Sequence, residues 1–396
     1  MSTKEKNQQA IPILFGLVLL CTATIINAHE RNPVTAEPLN QEILNLKHKI
    51  ERLEKSRIPL NRKEKQAEKP EEAKPSTSWL DRIHLNGLIE VEASYSDTPR
   101  GSTSNLAVST MELGVDTQIS PWFNAHLLIL DEEAATEPPL IDEGILTIAN
   151  AEQSPWSIAA GLMYVPFGNY DSNMVSDPLT LEIGETRETA VQGGYMSDDF
   201  HALVYLFNGD IKHSGNDRLD SFGFNLGLSH EATGANLGYT MEVSWLNDLA
   251  DSNNLQDAIA NPDKPGKRVA GLGFQASVIW KSWKLIGEYL GAQQTFDRDS
   301  LEFRGRGARP KASNIEASYT FHFLGAEANA GIGWQRSREA LALTLPENRY
   351  LATIAIDIFT DTTLSLEYTC NQNYAKSQGG TGENSNGLTL QLAASF

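Results

Sequence analysis

Apolar and polar residues alternate with a period of two over most of the chain beyond Trp79. In RIHLNGLIEVEASY, Ile83, Leu85, Ile89, Val91, Ala93 and Tyr95 interleave with Arg82, His84, Asn86, Glu90, Glu92 and Ser94. Such spacing gives a strand one apolar and one polar face. The segment GLTLQLAASF repeats it, with Leu388, Leu390, Leu392, Ala394 and Phe396 set against Thr389, Gln391, Ala393 and Ser395. Segments of the same kind recur near 105–119, 122–131, 141–151, 156–164, 187–196, 200–208, 219–230, 235–247, 268–280, 283–293, 312–323, 326–336, 348–359 and 362–371. The pattern predicts about sixteen strands, an even count as in bacterial outer-membrane barrels.

The connections alternate in length. Short ones such as Ser120-Pro121, Lys281-Ser282, Leu324-Gly325 and Thr360-Asp361 fall between long ones near 97–104, 132–140, 165–186, 209–218, 248–267, 294–311, 337–347 and 372–386. Tight turns at one end and long loops at the other are expected of a transmembrane barrel with both chain ends on the periplasmic side. Aromatic residues near strand ends, among them Tyr95, Trp122, Trp156, Trp245, Trp280, Trp283 and Tyr319, suit interfacial girdles. Sixteen such strands would need a very large soluble sandwich, so the fold expected is an all-β antiparallel transmembrane barrel over 79–396.

The N-terminal part obeys other rules. Lys4 and Lys6 precede the apolar run Ile11 to Ile26 and Asn27-Ala28, the layout of a secretory signal peptide over 1–28. Leu39, Ile43, Leu46, Ile50 and Leu53 are spaced 4, 3, 4, 3, which predicts a short periplasmic coiled coil over 37–57. Its seam suits a homotrimer or docking on another helix. Residues 58–78 are charged and proline-bearing, a polar linker.

Beyond residue 28 no run of about 18 apolar residues occurs, which excludes a helical span. Net charge is −19 over the whole chain, and removing Lys4, Lys6 and Glu5 with the signal takes it to −20. So acidic a protein is not a nucleic-acid binder. Cys370 is the one cysteine outside the signal, so no internal disulfide forms.

Alternation turns Glu90, Glu92, Glu112, Asp116, Glu242, Glu288, Glu316 and Glu367 towards the lumen. A sixteen-stranded barrel is wide enough for an aqueous channel, so passage of a solute is the expected role. The loop VPFGNYDSNMVSDPLTLEIGETRETAV is the third of the long ones and carries Pro166, Gly168, Asp177-Pro178 and Gly184, which force turns. Asp171, Asp177, Glu182, Glu185, Arg187 and Glu188 are its candidate constriction residues, because rings of charge select permeants. A solvated surface loop is the alternative. The sixth long loop, FDRDSLEFRGRGARPK, carries Arg298, Arg304, Arg306, Arg309 and Lys311, a candidate anion-capture loop for a chelate or for lipopolysaccharide headgroups of the outer-membrane lipid.

Together the exported N-terminus, heptads, linker, strand run and the words FGNYDSNMVSDPLTLEIGETRETAV resemble the LbtU family of siderophore porins. The resemblance implies an outer-membrane protein admitting a ferric siderophore without a TonB-coupled plug. It implies no particular binding residues. A general or anion-selective diffusion porin is the alternative. The histidines His84, His126, His201, His230 and His322 are scattered without GxSxG, HExxH or ligand spacing, so no enzyme activity, metal site or cofactor is expected.

Overall fold

In a computed structural model, the structure describes residues 82–132, 140–213, 218–232, 237–260 and 266–396. The signal segment, the heptads with their trimer reading, and the linker lie outside the described residues. The chain runs through β1 (Ile83–Thr98), β2 (Gly101–Gln118), β3 (Phe123–Glu132), β4 (Leu140–Ala149), β5 (Trp156–Tyr164), β6 (Arg187–Met196), β7 (Phe200–Phe207), β8 (Ser221–His230) and β9 (Gly238–Leu246). It continues through β10 (Gly271–Trp280), β11 (Trp283–Ala292), β12 (Glu302–Phe303), β13 (Arg306–Gly307), β14 (Lys311–Phe323), β15 (Ala326–Arg338), β16 (Asn348–Phe359), β17 (Thr362–Gln372) and β18 (Asn384–Ser395). Strands β12 and β13 form a small hairpin inside the sixth loop, and the other sixteen form one closed antiparallel barrel. β18 pairs with β1 to close it, with Leu88 opposite Ser395 and Asp97 opposite Asn386.

Register keeps each face in phase. Val91 lies opposite Leu392, which lies opposite Leu364, while on the other face Glu92 lies opposite Gln391 and Gln391 opposite Ser365. The outward face is the apolar one: Leu106 is 73% exposed and Val204 62%. Closure leaves no edge strand with unmet backbone groups, which is what lets strands cross hydrocarbon. Near the short turns this face carries Trp156 against Tyr195 (ring centroids 5.0 Å apart) and Trp283 against Tyr319 (4.9 Å). Near the long loops, Phe224 stacks on Trp245 at 5.9 Å.

One connection departs from the sequence expectation. Residues 97–104 are no long loop: β1 and β2 stay paired to Thr98 and Gly101, with the Arg100 N–H donating to Thr98 Oγ1 at 3.3 Å. The polar run SDTPRGSTSN has no apolar face to mark it as strand, yet its backbone continues the ladder.

The apolar core lies inside the barrel at the long-loop end, and it is off centre. Phe167, Leu179 and Ile183 of the third loop meet Leu246 at the end of β9 and Leu249, Leu255 and Val269 of the fifth loop, with Phe296, Leu301 and Phe303 of the sixth. Two short helices belong to it, α1 (Leu181–Gly184) and α2 (Asn253–Ala258).

Candidate functional site

The third loop, 165–186, crosses the lumen and is held mainly through its backbone. The N–H groups of Asn169 and Tyr170 donate to Glu288 Oε1 at 2.9 and 3.2 Å. Asn173 N–H donates to Glu316 Oε2 at 2.7 Å, and Val175 and Ser176 N–H to the two oxygens of Glu367 at 2.6 and 3.1 Å. Gly168 N–H reaches Ser244 Oγ at 3.0 Å, and Leu179 N–H reaches Gln335 Oε1 at 3.3 Å. Side chains add Ser172 Oγ on Glu316 and Thr180 Oγ1 on Glu288. The wall partners stand on β9, β11, β14, β15 and β17.

Glu316 is 2% exposed and Glu367 is fully buried. A buried carboxylate without partners would cost several kcal/mol; these are met by loop donors instead of by cations. Hydrogen bonds to a charged group contribute about 1.5–3 kcal/mol each, which offsets part of the cost, about 1–2 kcal/mol per residue, of ordering the loop backbone.

Two turns let the loop reach the wall. Gly168 has φ +86°, and a Cβ there would lie 2.4 Å from the Tyr170 ring. At Gly184 a Cβ would lie 2.3 Å from Leu290 Cδ1, so only glycine lets α1 rest on β11. The far end of the loop is locked by the fifth loop: Asn253 N–H donates to Glu185 O at 2.8 Å and Ser252 Oγ–H to Ile183 O at 2.8 Å. Beside it, His213 bonds to the buried Asp248, while Asp251 accepts from Ser221 Oγ at 2.6 Å. Burial, reinforced by Asp248, pushes the Asp251 carboxyl up to about 7, against the Ser221 and Ile211 donors.

The candidate constriction residues do not form one ring. Asp177 faces open lumen. Asp171 is paired with Lys284 of β11 at 2.9 Å. Glu182 and Glu185 turn to α2, accepting from Asn254 Nδ2 at 2.6 Å and Asn253 Nδ2 at 3.0 Å. Burial raises Glu185 to about 7, which the Asn253 amide opposes and the Asp177, Asp142 and Glu132 charges reinforce. Arg187 stands at the start of β6 and clamps Asp142 of β4 at 3.1 Å, and Glu188 is buried in β6.

What the loop leaves open is a cavity of ≈ 660 Å³ against β1, β2, β3 and β18. Its acidic lining is Glu90, Glu92, Glu112 and Glu132 from the wall and Asp177 from the loop. Among the described residues, no lysine or arginine lines it. Arg349 stands behind the loop, donating to Asp177 O at 3.2 Å and Asn371 Oδ1 at 2.9 Å. Glu132 is a lining residue that the sequence reading leaves in a loop; its parity with the polar Asn124 and His126, the latter opposite the inward Asp116, is the signal that places it on the lumen face.

In the sixth loop, Arg306 pairs with Glu339 at 3.1 Å through Nη1, and Arg309 Nε–H donates to Ala292 O at 3.0 Å. Arg298 and Arg304 are exposed, and Lys311 begins β14. The five basic groups are therefore not gathered into one pocket.

A closed sixteen-stranded antiparallel barrel, apolar outside, with its third loop bonded across the lumen, has the porin-type architecture. The chain belongs to the UPF0422 family. It is 31% identical over 314 residues to a UPF0422 protein of Coxiella burnetii, covering 77% of this chain and 67% of that one. It is 29% identical over 335 residues to UPF0422 protein lpg2959 of Legionella pneumophila, covering 76% of this chain. The match spans only 61% of that relative's length. No family model matches the chain. Among solved structures, OprB of Pseudomonas putida is similar with TM-score 0.57 at 10% identity, covering 80% of this chain and 95% of OprB. OmpF of Salmonella typhi gives 0.54 at 14% identity, covering 79% and 97%. The outer membrane channel DcaP of Acinetobacter baumannii gives 0.53 at 14%, covering 79% and 97%. At these identities the likeness is one of fold.

Proposed function

We propose that the protein is a passive outer-membrane channel of porin type whose passage prefers cations. The observation that carries this is the open cavity between the third loop and β1–β3, lined by five carboxylates and, among the described residues, no basic side chain. Charges in a narrow, low-dielectric passage concentrate ions of opposite sign, and a lining of one sign repels anions. The apolar outward face supports a membrane location. The fold it shares with DcaP, which is described as an outer membrane channel, agrees with the role.

The finer reading is passage of a ferric siderophore, which rests on the resemblance of the third-loop sequence to siderophore porins. The acidic lining restricts that cargo to chelates of neutral or positive charge, since a polycarboxylate chelate would be repelled. The exposed Arg298 and Arg304 suit anionic headgroups of the surrounding lipid better than a cargo. A general diffusion porin is the second reading, favoured by the open cavity beside the third loop, whose charged lining is spread over three strands and the loop. An anion-selective porin does not fit the lining.

Planar-bilayer recording of the refolded protein tests this. In a salt gradient the reversal potential has the sign of cation preference, and titrated ferric siderophore gives saturable block. Anion preference would overturn the charge reading, conductance indifferent to every chelate would leave the general porin, and no conductance would overturn the channel.

A further inference from the structure

The geometry points to a division of labour in which three wall glutamates fix the aperture by holding the third loop, while Asp177, the charge that loop adds to four wall carboxylates of the cavity, tunes the field. Glu288, Glu316 and Glu367 are positioning residues: they hold the third loop by its backbone. Asp177 is the loop's specificity-determining residue. This rests on the channel reading above, but the grip itself is a statement about the barrel wall alone.

Three observations carry it. First, of the seven loop N–H groups that reach wall side chains, five go to these three carboxylates, two each to Glu288 and Glu367 and one to Glu316. A backbone N–H is present whatever the side chain, proline excepted, so this part of the grip does not depend on which side chains the loop carries, and Ser172, Asn173, Ser176 and Thr180 add side-chain donors to the same three carboxylates. Second, both oxygens of Glu316 and of Glu367 face donors: Glu316 Oε1 takes Ser172 Oγ–H and Asn314 Nδ2–H while Oε2 takes Asn173, and Glu367 Oε2 takes Val175 while Oε1 takes Ser176. An amide in either place would set its NH₂ against a donor and lose one side of the grip. Third, Asp177, the loop side chain lining the cavity with a charge, takes its hydrogen bond from the wall at its backbone oxygen, from Arg349, whose charge also acts on the carboxylate. The carboxylate itself therefore sets the field of the passage while the hydrogen bond that holds this point of the loop runs through the backbone.

The separation is tested by a crossed experiment on the full protein in detergent and in bilayers. Backbone hydrogen exchange over 168–179, the largest neutral polymer that enters the pore, and the reversal potential are measured for wild type, E316Q, E367Q and D177N. E316Q and E367Q raise exchange at 173–176 by tenfold or more and admit larger polymers. D177N shifts the reversal potential towards zero while exchange and polymer cut-off stay at wild-type values. Unchanged exchange in both glutamate variants, or a changed cut-off in D177N, would overturn the proposal. If E367Q fails to fold, E316Q alone reads the grip at Asn173. Exchange is measured without current, so a non-conducting barrel would sink the channel reading and leave the grip to be judged by itself.

Discussion

Gly168 and Tyr170 both take positive φ, +86° and +61°, and between them the chain turns from β5 into the lumen. A left-handed conformation costs a residue with a Cβ roughly 1–2 kcal/mol, and at Gly168 the added methyl would also press the Tyr170 ring. Gly168→Ala is expected to loosen the first grip, on Glu288, and to raise exchange at Asn169 and Tyr170 while the grip on Glu367 persists. Glu185 makes a prediction about pH. Its folded-state value, raised to about 7, means the native loop holds a proton that the unfolded chain has released. The junction with α2 is therefore firmest below the ordinary carboxylate range and weakens as pH rises to about 7 and just beyond. Glu185→Gln should reduce that dependence, with Asp251 beside the junction keeping its share, so that protection over 181–185, taken relative to the intrinsic exchange rate at each pH, falls less between pH 5 and pH 8 than in wild type. A wild-type profile flat between those values would contradict it.

At the level of elements, the strands were legible and the loops much less so. Period-two alternation located all sixteen barrel strands, because each has one face on lipid and one on water, and the eight inward carboxylates followed from the same parity. The first hairpin was misjudged where its strands rise past their apolar belt, since polar strands without a buried face show no alternation. The third loop's inward course left no periodic trace. It depends on wall carboxylates meeting backbone N–H groups, and every residue has one. Helices α1 and α2 are too short for a helical pattern to register. Their contact is nevertheless strong: Leu255 of α2 and Ile183 of α1 are both fully buried. Leu255→Ala is expected to destabilise this loop cluster by about 3 kcal/mol. Hydrogen exchange over 179–185 and 249–259 reads that loss against unchanged barrel strands.

For the whole molecule, the consequence of an off-centre core is an off-centre passage. Among the described residues, one side of the mouth is filled by the third, fifth and sixth loops, and the other is lined by β18, β1, β2 and β3. Replacing Asn169 through Asp177 by a short glycine-serine link should raise single-channel conductance severalfold, and should weaken but keep cation preference, because Glu90, Glu92, Glu112 and Glu132 remain. Unchanged conductance would mean that the loop does not limit flow. Extending the deletion to Glu185 would be a poorer experiment, since α1 and its contacts with α2 would go with it.

The passage also lies along the seam where the barrel meets itself. Its walls come from the first three strands and the last, whose residues are far apart in the chain, and Leu88 and Ser395 become neighbours only when β1 joins β18. A chain with that seam unzipped can still gather its loop cluster, but it has no enclosed conduit and no continuous acidic wall. Under the proposed cation preference, ion discrimination would double as a proof of completed assembly: an unfinished barrel could not counterfeit the finished one's electrical signature.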